Sequence, residues 1–155
     1  TDKSQRFLAG ELLREQPNGS GDLGRALERL ARRVLEGRAI QDVWIVPSIE
    51  ERAERPEAGE YGTSLRFYDP EIGAWRSTWI GPFHRYVRRF IARRLNDEVV
   101  LELLQEEPSP VMRWIFHDIQ TDSFAWRNEV LEDGKWRIQQ RFSALRCGPG
   151  TANAA

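Results

Sequence analysis

Between Met112 and Arg146 the chain reads MRWIFHDI, QTD, SFAWRNEVLE, DG and KWRIQQRFSALR: three runs of alternating apolar and polar residues separated by two turn signals. Met112, Trp114 and Phe116 fall in one row with Asp118. Phe124, Trp126 and Val130 share a row with Asn128, and Trp136, Ile138 and Phe142 share one with Gln140. Successive side chains on a strand point to opposite faces, so a period of two marks half-buried antiparallel strands. Asp133-Gly134 supplies the positive φ angles of a tight hairpin turn. The pattern predicts a three-stranded meander with one aromatic face, each row holding one polar residue that a sealed core does not need.

The same period recurs upstream. Arg38 to Val46 (RAIQDVWIV) reads as a strand stopped by Pro47, which cannot donate to a ladder, and Asp42 lies in the row of Ile40, Trp44 and Val46. Tyr61 to Tyr68 places Tyr61, Thr63, Leu65 and Phe67 on one face. Turn residues at 69–73 precede Trp75 to Ile80, where Trp75, Ser77 and Trp79 align. His84 to Leu95 and Glu98 to Leu104 flank Asn96-Asp97, a connection suited to a hairpin, and set an arginine-rich strand beside a glutamate-bearing one. The count is about eight strands with short connections, the pattern of an antiparallel up-and-down barrel. From Leu23 to Leu35 the period changes: Leu23, Ala26, Leu27, Leu30, Ala31 and Val34 make a helical stripe, with Asp22 as N-cap and Gly37 beyond the end. One N-terminal amphipathic helix is therefore predicted, packed on the wall or across one end. The expected organisation is an arm and linker over 1–21, a single domain over 22–146 and a tail over 147–155. In the charged loop after Val46, Ser48 and Glu51 form a capping box for a short surface helix.

Composition narrows the function. The formal net charge is -1, so no global field draws the chain to nucleic acid or an anionic membrane. The lone cysteine, Cys147, excludes an internal disulfide and multi-cysteine metal motifs, and suits a reducing compartment. With no bilayer-length apolar run and no apolar leader core, the expectation is a soluble, cytoplasmic protein.

Several phrases, GRAIQDVWIVPS, GTSLRFYDPEIGAWRSTWIGP and RWIFHDIQTDSFAWRNEV with WRIQQRFSALR, together resemble a family of uncharacterised bacterial proteins with a lipocalin-like, calycin-type β-barrel. The resemblance spans roughly Gly37 to Arg146. It implies a small closed barrel with an interior for a small, mainly apolar molecule, and it carries no catalytic residues.

If the apolar row of each strand faces inward, the interior holds Trp44, Tyr61, Phe67, Trp75, Trp79, Trp114, Phe116, Phe124, Trp126, Trp136 and Phe142. Asp42, Thr63, Ser77, Asp118, Asn128 and Gln140 lie among them. Buried polar groups without partners cost a few kcal/mol each, so several in apolar rows point to mutual pairing, water or a ligand. Trp44, Tyr61, Thr63, Trp75, Ser77, Trp79, Trp114, Trp126, Asn128 and Gln140 are the candidate ligand-binding residues. Asp42 is the candidate catalytic residue, since desolvation would raise its affinity for a proton; the alternative is a structural salt bridge to an arginine such as Arg127 or Arg88. His84 and His117 are far apart in sequence, with His117 expected to face outward, and no metal site or cofactor is expected. Arg85, Arg88, Arg89, Arg93 and Arg94, interleaved with Tyr86 and Phe90, are read as a solvated outer face in preference to a single-strand nucleic-acid site. Three functions follow: binding of a small hydrophobic or aromatic molecule in the cavity, a cyclase or isomerase using Asp42, or a non-catalytic protein-interaction module, with a homodimer left open.

Overall fold

The computed structural model describes residues 13–15, 28–46, 60–105, 109–121 and 123–146. These residues form ten strands: β1 (Leu13–Glu15), β2 (Glu28–Val34), β3 (Ala39–Val46), β4 (Glu60–Asp69), β5 (Ala74–Gly81), β6 (Tyr86–Leu95), β7 (Glu98–Leu103), β8 (Met112–His117), β9 (Ser123–Glu132) and β10 (Lys135–Arg146). Strands β3 to β10, each antiparallel to the next, make one curled sheet of eight. Beyond β3 lies β2, and the short β1 pairs with both β2 and β10, so the strand order runs round as a closed barrel.

The helix expected over Leu23 to Leu35 is corrected in its described part, because Glu28–Val34 is extended and pairs residue for residue with β3, Val34 opposite Ala39. Its remaining residues, Asp22 included, lie outside the described residues, as do the Ser48-Glu51 capping box and the tail with Cys147. Pairing with an existing sheet satisfies every second backbone group of β2 and overrides a periodicity that is only a weak prior. A tight turn then reverses the chain, with Leu35, Glu36 and Gly37 at φ 52°, 58° and 82°. Asp133 and Gly134 take φ 50° and 72°, the double positive φ expected of that hairpin.

Sheet curling brings distant strands into contact. Trp44 from β3 meets Trp126 from β9 and Phe142 from β10, at ring-centroid separations of 5.6 and 5.4 Å. These rings join one core with Trp79, Phe90, Leu101, Met112, Trp114, Phe116, Phe124 and Val130.

Strand parity agrees with the sequence pattern on most strands and fails on two. On β4 the buried residues are Ser64 and Arg66, each 1% exposed, whereas Leu65 and Phe67 are 40% and 45% exposed. Tyr61, Thr63 and Phe67 therefore face outward rather than into the interior. On β10 a bulge between Ile138 and Gln140 shifts the register, so Trp136 and Ile138 are exposed on the outer wall while Phe142 is buried inside. One inserted residue switches the face of all that precede it.

The outer wall is also structured. Ile115 and Val100 are buried there beneath an ion network in which Glu129 accepts hydrogen bonds from Arg113 (2.6 Å) and Arg127 (2.7 Å), and Arg127 also donates to Glu98 (2.9 Å). Burial alone would push the Glu129 carboxyl up; the two arginines outweigh it and hold it below its ordinary value. The Arg113 guanidinium lies 4.0 Å from the Trp136 ring centre, which explains how this tryptophan sits outside. β6 and β7 pair side by side through the Asn96-Asp97 hairpin as expected, and Glu98, opposite Leu95, is met by Arg127 of β9.

Candidate functional site

Four tryptophans from four strands form a closed ring of contacts. Trp44 touches Trp79 (5.9 Å), Trp79 touches Trp114 (5.8 Å), Trp114 touches Trp126 (5.8 Å), and Trp126 returns to Trp44 (5.6 Å), all edge-on. Each such pair adds about 0.5–1.5 kcal/mol beyond simple burial. The ring crosses the interior as a floor.

What lies on either side of that floor differs. Toward the turns at 35–38, 70–73 and 96–97 the inward residues are bulky: Ile40, Phe116 and Phe124 are all buried, and Trp75 packs edge-on to Tyr68. Toward the connections at 82–85 and 133–134 the inward rows are mixed: Met112 and Val130 are buried, Tyr86 and Leu103 pack against the core, and Gly81, Asn128 and Gln140 stand among them. Gly81 follows Trp79 on β5, Asn128 follows Trp126 on β9, and Gln140 precedes Phe142 on β10. At this end, the mouth of the barrel, Asn128 is half-buried and Gln140 exposed. A groove of about 370 Å³ runs beside it, lined by Val43, Trp44, Tyr61, Gly62, Thr63, Ile80 and Pro82. That volume lies at the small end of ligand pockets, which span about 300–1,000 Å³.

Glycine shapes this end. A Cβ on Gly62 would fall on the Ile80 carbonyl oxygen and within 2.6 and 2.8 Å of the Trp79 ring, so only glycine lets Trp79 lie against the β4 backbone. A Cβ on Gly81 would stand 2.9 Å from the Trp79 indole nitrogen and 3.4 Å from the Tyr86 ring.

The floor carries hydrogen-bonding capacity that the described residues do not use. Among the described residues, the indole N–H groups of Trp79, Trp114 and Trp126 are buried without an acceptor, as is Asn128 Oδ1 without a donor. The Asn128 amide donates instead to Gln139 Oε1 at 3.4 Å. A buried polar group left unpaired costs about 1–3 kcal/mol.

No family model matches this chain, and no curated protein matches it.

Asp42 is fully buried and ion-paired with Arg66, also buried; its Oδ1 accepts from the Ser64 N–H at 3.2 Å. The expected partners Arg127 and Arg88 are engaged elsewhere, so the salt-bridge alternative is realised with an arginine the pattern had placed outside. Two Arg66 nitrogens, Nε and Nη2, find no acceptor among the described residues. The Asp42 carboxylate is thus engaged in a buried ion pair that joins β3 to β4.

Of the sequence candidates, the structure brings together Trp44, Trp79, Trp114 and Trp126 in the floor and places Asn128 and Gln140 at the mouth. Trp75 and the buried Ser77 face inward on the far side of the floor. Tyr61 and Thr63 border the external groove; Thr63 donates to the Asp42 carbonyl at 2.6 Å, and Tyr61 packs against Phe83 at 5.5 Å. Asp118 is exposed, has φ 50°, and contacts His117 Nδ1 at 2.8 Å, which makes it a turn residue. His84 lies in the turn at the mouth, stacked on Tyr86 at 5.8 Å.

Sequence reasoning missed Arg66, Gly62 and the inward position of Arg88. The arginine cluster on β6 was read as one outer face, yet register puts Arg88 opposite Trp79 and in the row of the buried Phe90 and Ala92. That row, Tyr86, Arg88, Phe90 and Ala92, was visible in the sequence as an alternation with three apolar members.

Proposed function

We propose that this chain is a lipocalin-like barrel that binds one small, flat, mainly aromatic molecule at the mouth above the four-tryptophan floor. The supporting observation is the set of three buried indole N–H groups, from Trp79, Trp114 and Trp126, with no protein acceptor among the described residues. An aromatic surface supplies burial, and a few unused donors supply orientation, which is the usual composition of a small-molecule site. The occupant is then a ring system bearing oxygen acceptors.

The Asp42–Arg66 pair has a supporting part in this reading. It fixes β3 against β4, from which Trp44 and Gly62 position the floor. Binding without turnover is accordingly favoured over an Asp42-driven cyclase or isomerase. Among the described residues no cluster of three or more His, Cys, Asp or Glu side chains is arranged to hold a metal, and no helix is long and apolar enough to cross a membrane.

The test is a titration with N-phenyl-1-naphthylamine, a neutral aromatic fluorophore that brightens in apolar surroundings. Saturable binding at one site per chain, with energy transfer from tryptophan, is the expected result. Emission that rises without saturation, or does not rise, contradicts the reading.

A further inference from the structure

We propose that the mouth is selective for an acidic head group, with Arg88 as the anchor for a carboxylate and the aromatic body of the ligand resting on the indole floor. This deepens the binding reading above and rests on it. Arg88 stands on the inward face of β6, directly opposite Trp79 of β5. Directly opposed residues on one face of an antiparallel pair have Cβ atoms about 4.5–5.5 Å apart, so the two side chains leave the sheet side by side, the indole lying against Gly62 of β4 and the guanidinium reaching Met112 of β8.

The described partners of Arg88 are soft and uncharged. Its Nη1 donates to the Met112 thioether sulfur at 3.4 Å, and its guanidinium carbon lies 4.1 Å from the Tyr86 ring centre. Neither neutralises the charge. Elsewhere in the barrel partly or wholly buried guanidinium groups meet carboxylates: Arg66 meets Asp42, Arg113 meets Glu129, and Arg127 meets Glu98 and Glu129. Among the described residues Arg88, partly buried at the mouth end of β6, departs from that rule. A partly buried cation with no counter-charge among the described residues is costly, and a carboxylate that accepts from Arg88 supplies one.

The face of β6 strengthens the assignment. Tyr86 covers one side of the guanidinium and stacks on His84, which packs edge-on to Phe83 at 5.0 Å. These rings hold Arg88 in place from the mouth side. A guanidinium already oriented loses less freedom on binding, so the bond it makes contributes more to affinity.

The test uses a matched pair, 1-naphthaleneacetic acid and 2-(1-naphthyl)ethanol, as competitors of bound N-phenyl-1-naphthylamine. In the wild-type protein the acid is expected to displace the dye at concentrations about tenfold or more below the alcohol, the scale of a charge-assisted hydrogen bond. Arg88→Gln is expected to abolish that preference with little change for the alcohol, and Arg88→Lys to retain it in part. Equal displacement by acid and alcohol from a wild-type protein that binds the dye overturns the Arg88 assignment and leaves the cavity reading intact. A preference that survives Arg88→Gln overturns it too, since the anion then lies elsewhere. Absence of saturable dye binding removes the cavity reading and this inference together. If Arg88→Gln does not fold, the wild-type pair and Arg88→Lys decide the matter.

Discussion

Arg66→Met is expected to destabilise the barrel by about 3–5 kcal/mol, the cost of breaking a buried ion pair by removing one partner. The substitution preserves much of the side-chain volume and removes the charge. It strands the Asp42 carboxylate, which is fully shielded from water and keeps only what its other neighbours donate, the Ser64 N–H among them. Urea unfolding followed by tryptophan emission measures the loss. Arg76→Met is the internal control, because the Arg76–Asp69 pair sits at the surface with Arg76 45% exposed. Surface pairs contribute about 0–1 kcal/mol, so that variant should unfold near the wild type. A loss below about 1 kcal/mol for Arg66→Met would mean that water reaches the pair.

The second large effect is expected at Gly62. Gly62→Ala inserts a methyl group where the Ile80 carbonyl and the Trp79 ring already stand, and overpacking of this kind costs about 1–3 kcal/mol or more. A loss near or above 3 kcal/mol is expected, since one obstacle is backbone in the neighbouring strand and cannot rotate aside. Trimming the other obstacle separates the two causes. The double variant Gly62→Ala with Trp79→Phe should recover little, because Ile80 O remains in the way. Full recovery would show that the ring alone sets the need for glycine, and would move the origin of the floor's position from β4 to Trp79 itself.

Both residues lie on β4, the strand on which the sequence was most misleading. Its sequence, EYGTSLRFYD, alternates with its larger apolar members, Leu65 and Phe67, on the solvent side. Parity was assigned by hydrophobicity, and the inward row was the one with glycine, serine and arginine. What decides the face here is the partner strand: Asp42 on β3 lies opposite Ser64, and Arg66 follows at the next inward position. A buried charge pair inverts the local pattern because each charge stabilises the other's burial, and neither strand alone carries that information.

Elsewhere the alternation was sufficient. The eight strands from β3 to β10 were legible, with the Asp133-Gly134 hairpin and the inward rows of β5, β8 and β9, because one face of each is apolar and aromatic. The strand β2 was not legible, since LERLARRVLE fits a helical stripe and only pairing with β3 reveals its extended form. The bulge after Ile138 was hidden for a related reason: an inserted residue leaves no mark in a run where Trp136, Ile138 and Phe142 keep even spacing. Of the candidate site, the four floor tryptophans were named from sequence as interior residues, but that they meet in one ring depends on curvature that brings β3 against β9. Arg88 was hidden by its neighbours, since Arg85, Arg89, Arg93 and Arg94 made a strand that places Arg88 in a buried row look like a uniformly charged surface.

The most direct measurement follows the side-chain N–H signals of the six tryptophans by two-dimensional ¹⁵N–¹H correlation NMR, each assigned by a Trp→Phe variant, as 1-naphthaleneacetic acid is added to saturation. Expected are large shifts of the Trp79, Trp114 and Trp126 indole signals as their N–H groups gain acceptors or a new aromatic neighbour, with Trp136 on the outer wall unmoved. Movement of Trp136 with the three floor signals unchanged would place the ligand on the outside of the barrel and contradict the account of the mouth as the binding site.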